Sequence, residues 1–329
     1  MKYRRLICPG ARQIVVDQSE IGPLPPNGIL VQHEYTAVSV GTEIYNWEHG
    51  GEPGQEPTFP RLTGYCSTGT VLEAGPNVSG VKPGDRVCGQ SPHSSHAIFT
   101  DAYQKVPSNV SSKSAALMVM GAIALRGVRV AQIRLGESVA VVGLGLVGQL
   151  AATLSRLAGG MPVIAIDIDA FRLGKAANRG VDVSLNPDQV DDLVDAVREH
   201  CPEAGANVVI EATGKPRTYP TTVKLACDAG RIICLGSPRG EVRMDFFADV
   251  HLREVTIQGA FQPYTPEQDH RYYRWTKDRE RHLIMQLMSN GRLPVEDLIT
   301  HVAKPQQCQD IYTMLADRSQ NALGVLFEW

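Results

Sequence analysis

The amino-acid sequence predicts an α/β protein in which a parallel β-sheet is covered by helices and preceded by a strand-rich region. The first observation is a glycine-rich turn at 143–148, which lies between an apolar strand pattern beginning at Val139 and a helical pattern. The second is the set of short, almost continuously apolar runs that follow, as expected for strands buried on both faces of a parallel sheet. The third is the first part of the chain, where short Val, Ile and Thr runs alternate with Gly and Pro turns.

The individual elements follow from local patterns. Besides the two strands around the glycine turn, strands are predicted over 28–32, 69–73, 206–214, 230–236, 255–260 and 323–327, and the stretch 81–87 is predicted to be a turn that leads into a strand. A proline-free stretch rich in Ala, Leu, Met and Val predicts a helix over 114–131 that enters the sheet region. The charged and aromatic segment 265–281 is interpreted as a solvated helical insertion, followed by an amphipathic helix around 283–288.

The glycine turn and the strand after it predict a dinucleotide site. Gly143 allows a tight turn, Gly145 lets the backbone approach a pyrophosphate, and Gly148 lets the helix pack closely on its strand. The free N–H groups at the start of that helix favour phosphate. Asp167 ends the next apolar run, where a carboxylate can accept hydrogen bonds from the adenosine ribose and would repel a 2′-phosphate. NAD is therefore the expected cofactor, and a glycine turn in another kind of α/β sheet is the alternative.

Composition excludes several classes of function. The chain has 329 residues, of which 43% are hydrophobic and 20% charged, and a net charge of −3. These values are typical of a globular protein with two domains and give no indication of a nucleic-acid or membrane surface. No signal peptide is recognised at the start of the chain, and seven scattered cysteines suggest reduced thiols, so a cytoplasmic location is expected.

Several motifs together resemble the medium-chain dehydrogenase/reductase family. They are the glycine turn and the segments 40–43, 64–78, 81–87, 211–214, 291–294 and 298–300. The resemblance covers nearly the whole chain. It implies a GroES-like β-barrel catalytic domain at 1–118 and 261–329, with a Rossmann doubly wound parallel-sheet domain at 119–260 inserted between. It also implies a homo-oligomer, expected to be a dimer formed through the edge of the Rossmann sheet.

The chain departs from the zinc-dependent members of that family at the metal ligands. Val40 stands where they have a cysteine, Tyr65 and Cys66 where they have a histidine and a glutamate, and Val119 near a further ligand. Valine has no donor atom for Zn²⁺, so no metal is expected and the chain resembles the zinc-lacking branch. A site rebuilt from Cys66, His93 and His96 is the alternative, although the stretch 93–96 is better explained as a flexible Ser/His loop.

The resemblance also identifies candidate catalytic residues. Thr42 matches the position whose hydroxyl touches the substrate oxygen, and Tyr45 matches the following relay position. Tyr65 would project into the space that the metal otherwise fills. Each has a structural alternative: Thr42 could cap a turn, Tyr45 could pack in the barrel, and Tyr65 could fill a void. Glu43 is expected to pair with an Arg or Lys.

Further cofactor contacts are implied by the resemblance. Val147 would lie behind the nicotinamide ring, and Gly236, Ser237 and Gln262 would border its carboxamide. Arg172, five positions after the ribose carboxylate, would cover the adenine ribose or act as an ordinary surface cation.

The leading hypothesis is a metal-independent NAD(H) oxidoreductase that interconverts a secondary alcohol of a sugar, polyol or similar small molecule and its ketone. The alternatives are a quinone or enoyl reductase of the same fold and a dinucleotide-binding protein without turnover. The expected partners are a small-molecule substrate and a second copy of the chain, with no nucleic acid and no membrane.

Overall fold

A computed structural model describes all 329 residues. The chain divides into two compact units, which we call the split unit (Met1–Met120 with Pro266–Trp329) and the inserted unit (Gly121–Thr265). None of the helices combines the length and the apolar character that a bilayer crossing requires.

The elements up to the glycine turn are β1 (Lys2–Cys8), β2 (Val15–Glu20), β3 (Ile29–Ala37), α1 (Val40–His49), β4 (Arg61–Leu62), β5 (Ser67–Ala74), β6 (Arg86–Gly89), β7 (His96–Phe99), β8 (Tyr103–Lys105), α2 (Ser112–Ala115), α3 (Met118–Ala131) and β9 (Val139–Val142). Those after it are α4 (Leu146–Leu157), β10 (Val163–Ile166), α5 (Ala170–Ala177), β11 (Val183–Leu185), α6 (Leu193–Arg198), β12 (Ala206–Glu211), α7 (Tyr219–Lys224), β13 (Ala226–Cys234), β14 (Thr256–Gly259), α8 (Lys277–Ser289), β15 (Ile299–Ala303), α9 (Cys308–Asp317) and β16 (Gly324–Glu328). Short 3-10 and π segments connect some of them.

The split unit is built on a seven-stranded sheet of order β15-β16-β3-β5-β6-β8, with β7 also paired to β3. A second sheet of order β2-β1-β4 lies in the same unit. The C-terminal strand β16 pairs antiparallel with β3, so the two ends of the chain share one sheet. A buried cluster that includes Leu6, Trp47, Tyr312 and Phe327 joins α1 and α9 to these strands. The predicted strand-rich region is confirmed.

The inserted unit has a six-stranded parallel sheet of order β11-β10-β9-β12-β13-β14. Its central strands β9, β10 and most of β12 are buried along their length, which explains their continuous apolar sequences. The strand order reverses around β9, so the sheet is the doubly wound type that the sequence predicts. The strand β14 lies at the edge, and all four of its residues are exposed.

Two predicted helices differ from the structure. The helix expected over 114–131 is broken at Ala116 and Leu117, where the N–H of Leu117 bonds the Ser114 carbonyl at 3.0 Å in a tighter turn. The helical insertion predicted over 265–281 is wrong for 265–276, where the chain has no α-helix, and is confirmed for 277–281, which belong to α8. The side chain of Thr276 caps α8 by accepting from the N–H of Arg279.

Candidate active site

The glycine turn of the inserted unit has a separate structural reason at each of its glycines. Gly143 has φ +89°, a left-handed conformation that favours glycine. A Cβ on Gly148 would lie 1.9 Å from the carbonyl oxygen of Gly143, so no larger residue fits between α4 and the turn. A Cβ on Gly145, the N-cap of α4, would meet nothing within 4 Å. Gly145 therefore borders open space at a helix N-terminus, where a pyrophosphate fits.

Asp167 follows β10 and is 8% exposed. Its two carboxylate oxygens accept hydrogen bonds from the N–H of Leu144 at 2.6 Å and the N–H of Asp169 at 3.0 Å. The first bond ties the carboxylate to the glycine turn. Arg172 has an Nη1 atom 3.9 Å from Asp167 and its Nε atom 3.4 Å from Asp169. Arg172 therefore lies beside Asp167, the candidate ribose-binding residue, and already pairs with two carboxylates.

The remaining cofactor candidates occupy the starts and ends of neighbouring elements. Val147 is half-buried in the first turn of α4. Gly236 follows β13, where a Cβ would lie 2.4 Å from the nitrogen of Gly214, and Ser237 beside it is exposed. Gln262 is 7% exposed, and its Nε2 has no hydrogen-bond partner. A buried amide donor without a partner is the kind of group that a bound carboxamide would satisfy.

In the split unit, the carboxylate of Glu43 is the centre of a buried hydrogen-bond network. Its Oε1 accepts from the N–H of Ser39 at 2.6 Å, while its Oε2 contacts Thr63 Oγ1 at 2.8 Å, His93 Nε2 at 2.9 Å and the Tyr312 hydroxyl. Burial alone would raise the pKa of Glu43, but the charge of His93 and these hydrogen bonds hold the pKa below its usual value. The expected Arg or Lys partner is wrong, because the partner is His93.

The ring of His93 extends this network. Its Nδ1 lies 2.7 Å from the hydroxyl of Thr36, which also accepts from the indole N–H of Trp329 at 2.9 Å. Gly64 makes room for the ring, since a Cβ there would lie 2.6 Å from it. His93 is fully buried and hydrogen-bonded at both nitrogens. The prediction of a flexible loop at this histidine is therefore wrong.

A cavity of about 160 Å³ opens beside the network. Thr42 and Tyr65 both line this cavity and are hydrogen-bonded to each other, and the Tyr65 hydroxyl also donates to Ser39 Oγ. Burial, and next the neighbouring Cys66, raises the pKa of Tyr65, so its phenol stays protonated and can donate a hydrogen bond. Tyr45 does not line the cavity, and its ring lies 4.4 Å from that of His49. The complete lining is Cys8, Thr42, Glu43, Asn46, Trp47, Arg61, Leu62, Thr63, Gly64 and Tyr65.

Comparison with known proteins identifies the family. Residues 25–156 match the model of the alcohol dehydrogenase GroES-like domain, and residues 147–276 match that of the zinc-binding dehydrogenase domain. The chain is 30% identical to the D-guloside 3-dehydrogenase of Escherichia coli strain K12, over 98% of this chain and 100% of that protein. The chain belongs to the medium-chain dehydrogenase/reductase family. It is thus an alcohol dehydrogenase-like oxidoreductase of a dinucleotide-dependent family.

One further relative and one solved structure are also similar to the chain. The chain is 27% identical to a probable D-xylulose reductase A of Aspergillus clavatus, over 93% of this chain and 91% of that protein. The crystal structure of L-idonate 5-dehydrogenase from Escherichia coli superposes with a TM-score of 0.85 at 18% identity, covering 100% of this chain and 99% of that one. The second similarity shows the fold, with its GroES-like and Rossmann domains.

The residues at the family's zinc position do not fit a zinc ion. Val40 and Val119 carry no donor atom, and Cys66 is fully buried with a pKa raised well above its usual value, first by burial and then by Glu43. His93 is bonded to Glu43 and Thr36, and His96 contacts the hydroxyl of Ser95. No three His, Cys, Asp or Glu side chains in the chain are grouped so that they could hold a metal ion. Cys66, His93 and His96 thus do not form a rebuilt site here.

Several members of the network, including Tyr312 and Thr63, were absent from the sequence prediction. Tyr312 lies in α9, 269 positions from Glu43, and nothing in its local sequence indicates that its hydroxyl points at a carboxylate. Thr63 precedes a motif glycine but has no motif role of its own. The glycine at position 64, which makes room for the ring of His93, is the one related feature in the sequence. Its φ of +86°, however, cannot be read from the sequence.

Proposed function

We propose that this protein is a metal-independent, NAD(H)-dependent oxidoreductase of the zinc-lacking branch, interconverting a secondary alcohol and its ketone. The observation that carries the proposal is the cavity in which the hydroxyls of Thr42 and Tyr65 converge at a position without a ligand set for zinc. The substrate class, a sugar or polyol, is carried over from the names of the guloside dehydrogenase and xylulose reductase relatives.

Asp167 supports NAD(H) as the cofactor. Its carboxylate is fixed by two backbone N–H groups beside the glycine turn, where a ribose hydroxyl can donate to it and a 2′-phosphate would be repelled. When bound, the nicotinamide accepts or supplies the hydride. Gly145 and the start of α4 would hold the pyrophosphate, and the unpartnered amide of Gln262 would bind the carboxamide.

The split unit would handle the substrate oxygen and its proton. Negative charge develops on that oxygen during hydride transfer, and a fixed hydrogen-bond donor stabilises such charge. The Tyr65 phenol is suited to this role because burial keeps it protonated, and its one O–H, which donates to Ser39 Oγ in this structure, would turn to the substrate oxygen when substrate binds. Thr42, which is half-buried and hydrogen-bonded to Tyr65, can pass the alcohol proton to solvent water during oxidation or return it from water during reduction.

Glu43 would position this pair rather than react. It holds the backbone N–H of Ser39, and the Ser39 hydroxyl in turn accepts from Tyr65. All the donors around the carboxylate belong to the protein, so its oxygens are already occupied.

The proposal is tested with chelator-treated protein, zinc content measured in parallel, and a panel of sugars and polyols with NAD⁺. We expect turnover that survives chelation and falls by about 10²- to 10⁴-fold in Tyr65→Phe. Tyr272→Phe, which changes an 85% exposed tyrosine of the same unit, is the matched control and should have normal activity.

Three results would contradict the proposal. Activity that is lost on chelation and restored by zinc would show a metal enzyme. Reduction of enones with no oxidation of alcohols would favour the quinone or enoyl reductase alternative. Tight NADH binding without hydride exchange to any carbonyl compound would identify a dinucleotide-binding protein without turnover.

A further inference from the structure

The cavity of the split unit has polar groups on its wall that the proposed chemistry does not use. They belong to Asn46 and Trp47 on α1 and to Arg61 on β4. Strand β4 pairs with the end of β1, with Arg61 opposite Cys8, and this pairing fixes the backbone from which the arginine projects. The three residues thus lie around the same cavity as Thr42 and Tyr65, on elements with defined positions.

Two of these side chains have buried polar atoms without a partner. Trp47 is 2% exposed, and its indole N–H donates to no acceptor in the chain. The Oδ1 atom of Asn46 is also buried and accepts no hydrogen bond. Leaving such groups unsatisfied is unfavourable, so a ligand that satisfies them is favoured.

The orientation of the indole is fixed by its neighbours. The guanidinium of Arg12 lies 5.5 Å from the centre of the Trp47 ring, and the Tyr312 ring packs edge-on at 5.8 Å between centroids. Arg12 itself lies near Glu48 and Asp317, at 3.5 and 3.6 Å. The indole N–H is therefore a positioned donor rather than a group that can turn away.

Arg61 supplies the charge of this wall. It is the one Lys, Arg or His among the lining residues, and no carboxylate of the chain forms an ion pair with it. The negative charge in the lining belongs to Glu43, which is paired with His93 at 2.9 Å and surrounded by protein donors. A single cation thus remains without a counter-charge at the cavity.

We propose that Arg61, Trp47 and Asn46 form a subsite for a carboxylate, and that the substrate is a polyhydroxylated acid such as an aldonate. Arginine binds a carboxylate through two parallel N–H bonds, and the indole N–H can add a third donor. The Asn46 oxygen can accept from the hydroxyl on the next carbon. One arginine balances the single charge of a carboxylate, whereas a phosphate monoester carries nearly two negative charges at neutral pH.

This inference rests on the proposed function, since it names the substrate class of the same cavity. The test compares aldonates with the alditols of the same stereochemistry and with a sugar phosphate, through kcat/KM with NAD⁺. In parallel, aldonate binding to the cofactor-free protein is measured by isothermal titration, which needs no turnover.

For the unaltered protein, we expect kcat/KM to be at least about tenfold higher for one aldonate than for its alditol. In Arg61→Gln, this ratio should fall by about 10- to 100-fold, and aldonate binding should weaken to a similar extent. Trp47→Phe should lower the ratio by about fivefold, because one neutral donor is lost. Arg292→Gln, which changes an exposed arginine of the same unit, is the matched control and should preserve the ratio.

Arg61→Lys serves if the glutamine variant does not fold, and it should lower the ratio because lysine keeps the charge without the bidentate geometry. Equal oxidation of aldonates and alditols would overturn the carboxylate subsite while the proposed function stands. A preference for the sugar phosphate that depends on Arg61 would also overturn it. Aldonate binding that depends on Arg61, without oxidation of any substrate, would support the subsite and overturn the proposed function.

Discussion

The pairing of Glu43 with His93 gives a prediction about stability that the structure allows us to quantify. Both side chains are almost fully buried, and His93 Nε2 lies 2.9 Å from Glu43 Oε2. Removing one partner of a buried ion pair destabilises a protein by about 3–5 kcal/mol, because the other charge is left uncompensated. In His93→Leu, three donors still hold the Glu43 carboxylate. We therefore expect the free energy of unfolding to fall by about 3 kcal/mol, near the lower end of that range.

The double variant separates the pair from its surroundings. Glu43→Gln removes the charge that His93 compensates, so the two substitutions together should cost less than the sum of the single ones. We expect the difference to be about 0.5–3 kcal/mol, the range measured for residues in one hydrogen-bond network. Glu267→Gln, which removes an exposed ion pair with Lys277 at 2.8 Å, is the control and should leave the free energy of unfolding almost unchanged.

Urea unfolding followed by tryptophan fluorescence is the suitable assay. The three tryptophans of the chain, at positions 47, 275 and 329, all lie in the split unit, so their emission reports on the unit that contains the pair. A loss below about 1 kcal/mol in His93→Leu, or strictly additive effects in the double variant, would refute the argument that His93 compensates the buried charge.

Three further predictions concern the cofactor, pH and assembly. Asp167→Ser should shift the ratio of NADPH to NADH affinity upward by at least about tenfold in fluorescence titrations, and equal binding of both by the unaltered protein would contradict the role of the carboxylate. Burial lowers the pKa of His33 to about 4 in the folded protein. As the pH falls, His33 is therefore protonated in the unfolded chain before it is protonated in the folded one, and the free energy of unfolding should fall by about 2 kcal/mol from pH 7 to pH 5. His33→Phe should abolish that share of the pH dependence. The exposed edge strand β14 and the exposed Phe246 and Phe247 of the segment that precedes it in the sequence, 63% and 64% exposed, lead us to expect a dimer in light scattering and a monomer for Phe247→Glu. A monomeric unaltered protein would contradict this.

The main elements of the inserted unit could be predicted from local sequence, because the features that define them depend on nearby residues. The conformation of Gly143 and the packing at Gly148 are set by residues within a few positions, and the apolar strands report directly that both faces of the sheet are covered. The break in the helix at Ala116 could not be predicted from the sequence, because Ala and Leu are good helix formers.

The candidate site was predicted only in part because its contacts are long-range. Thr42 and Tyr65 were identified from motif positions, and the structure brings them together in one cavity. The partner of Glu43 was assigned wrongly because an arginine or lysine is the usual counter-charge, whereas His93 reaches the carboxylate from a segment 50 positions away. Tyr312 comes from the other end of the chain, and no local pattern encodes a contact of that kind.

The division of the split unit between both ends of the chain has a consequence for biosynthesis. While the protein emerges from the ribosome, the inserted unit is complete once Thr265 has left the exit tunnel, and it can fold as a domain. At that stage, β3 has no β16 beside it, and the carboxylate of Glu43 has no Tyr312 to bind. The incomplete barrel therefore exposes a charged group and a sheet edge until Tyr312 and β16 have been translated. Arresting nascent chains before and after residue 312 would show at which chain length the barrel is completed.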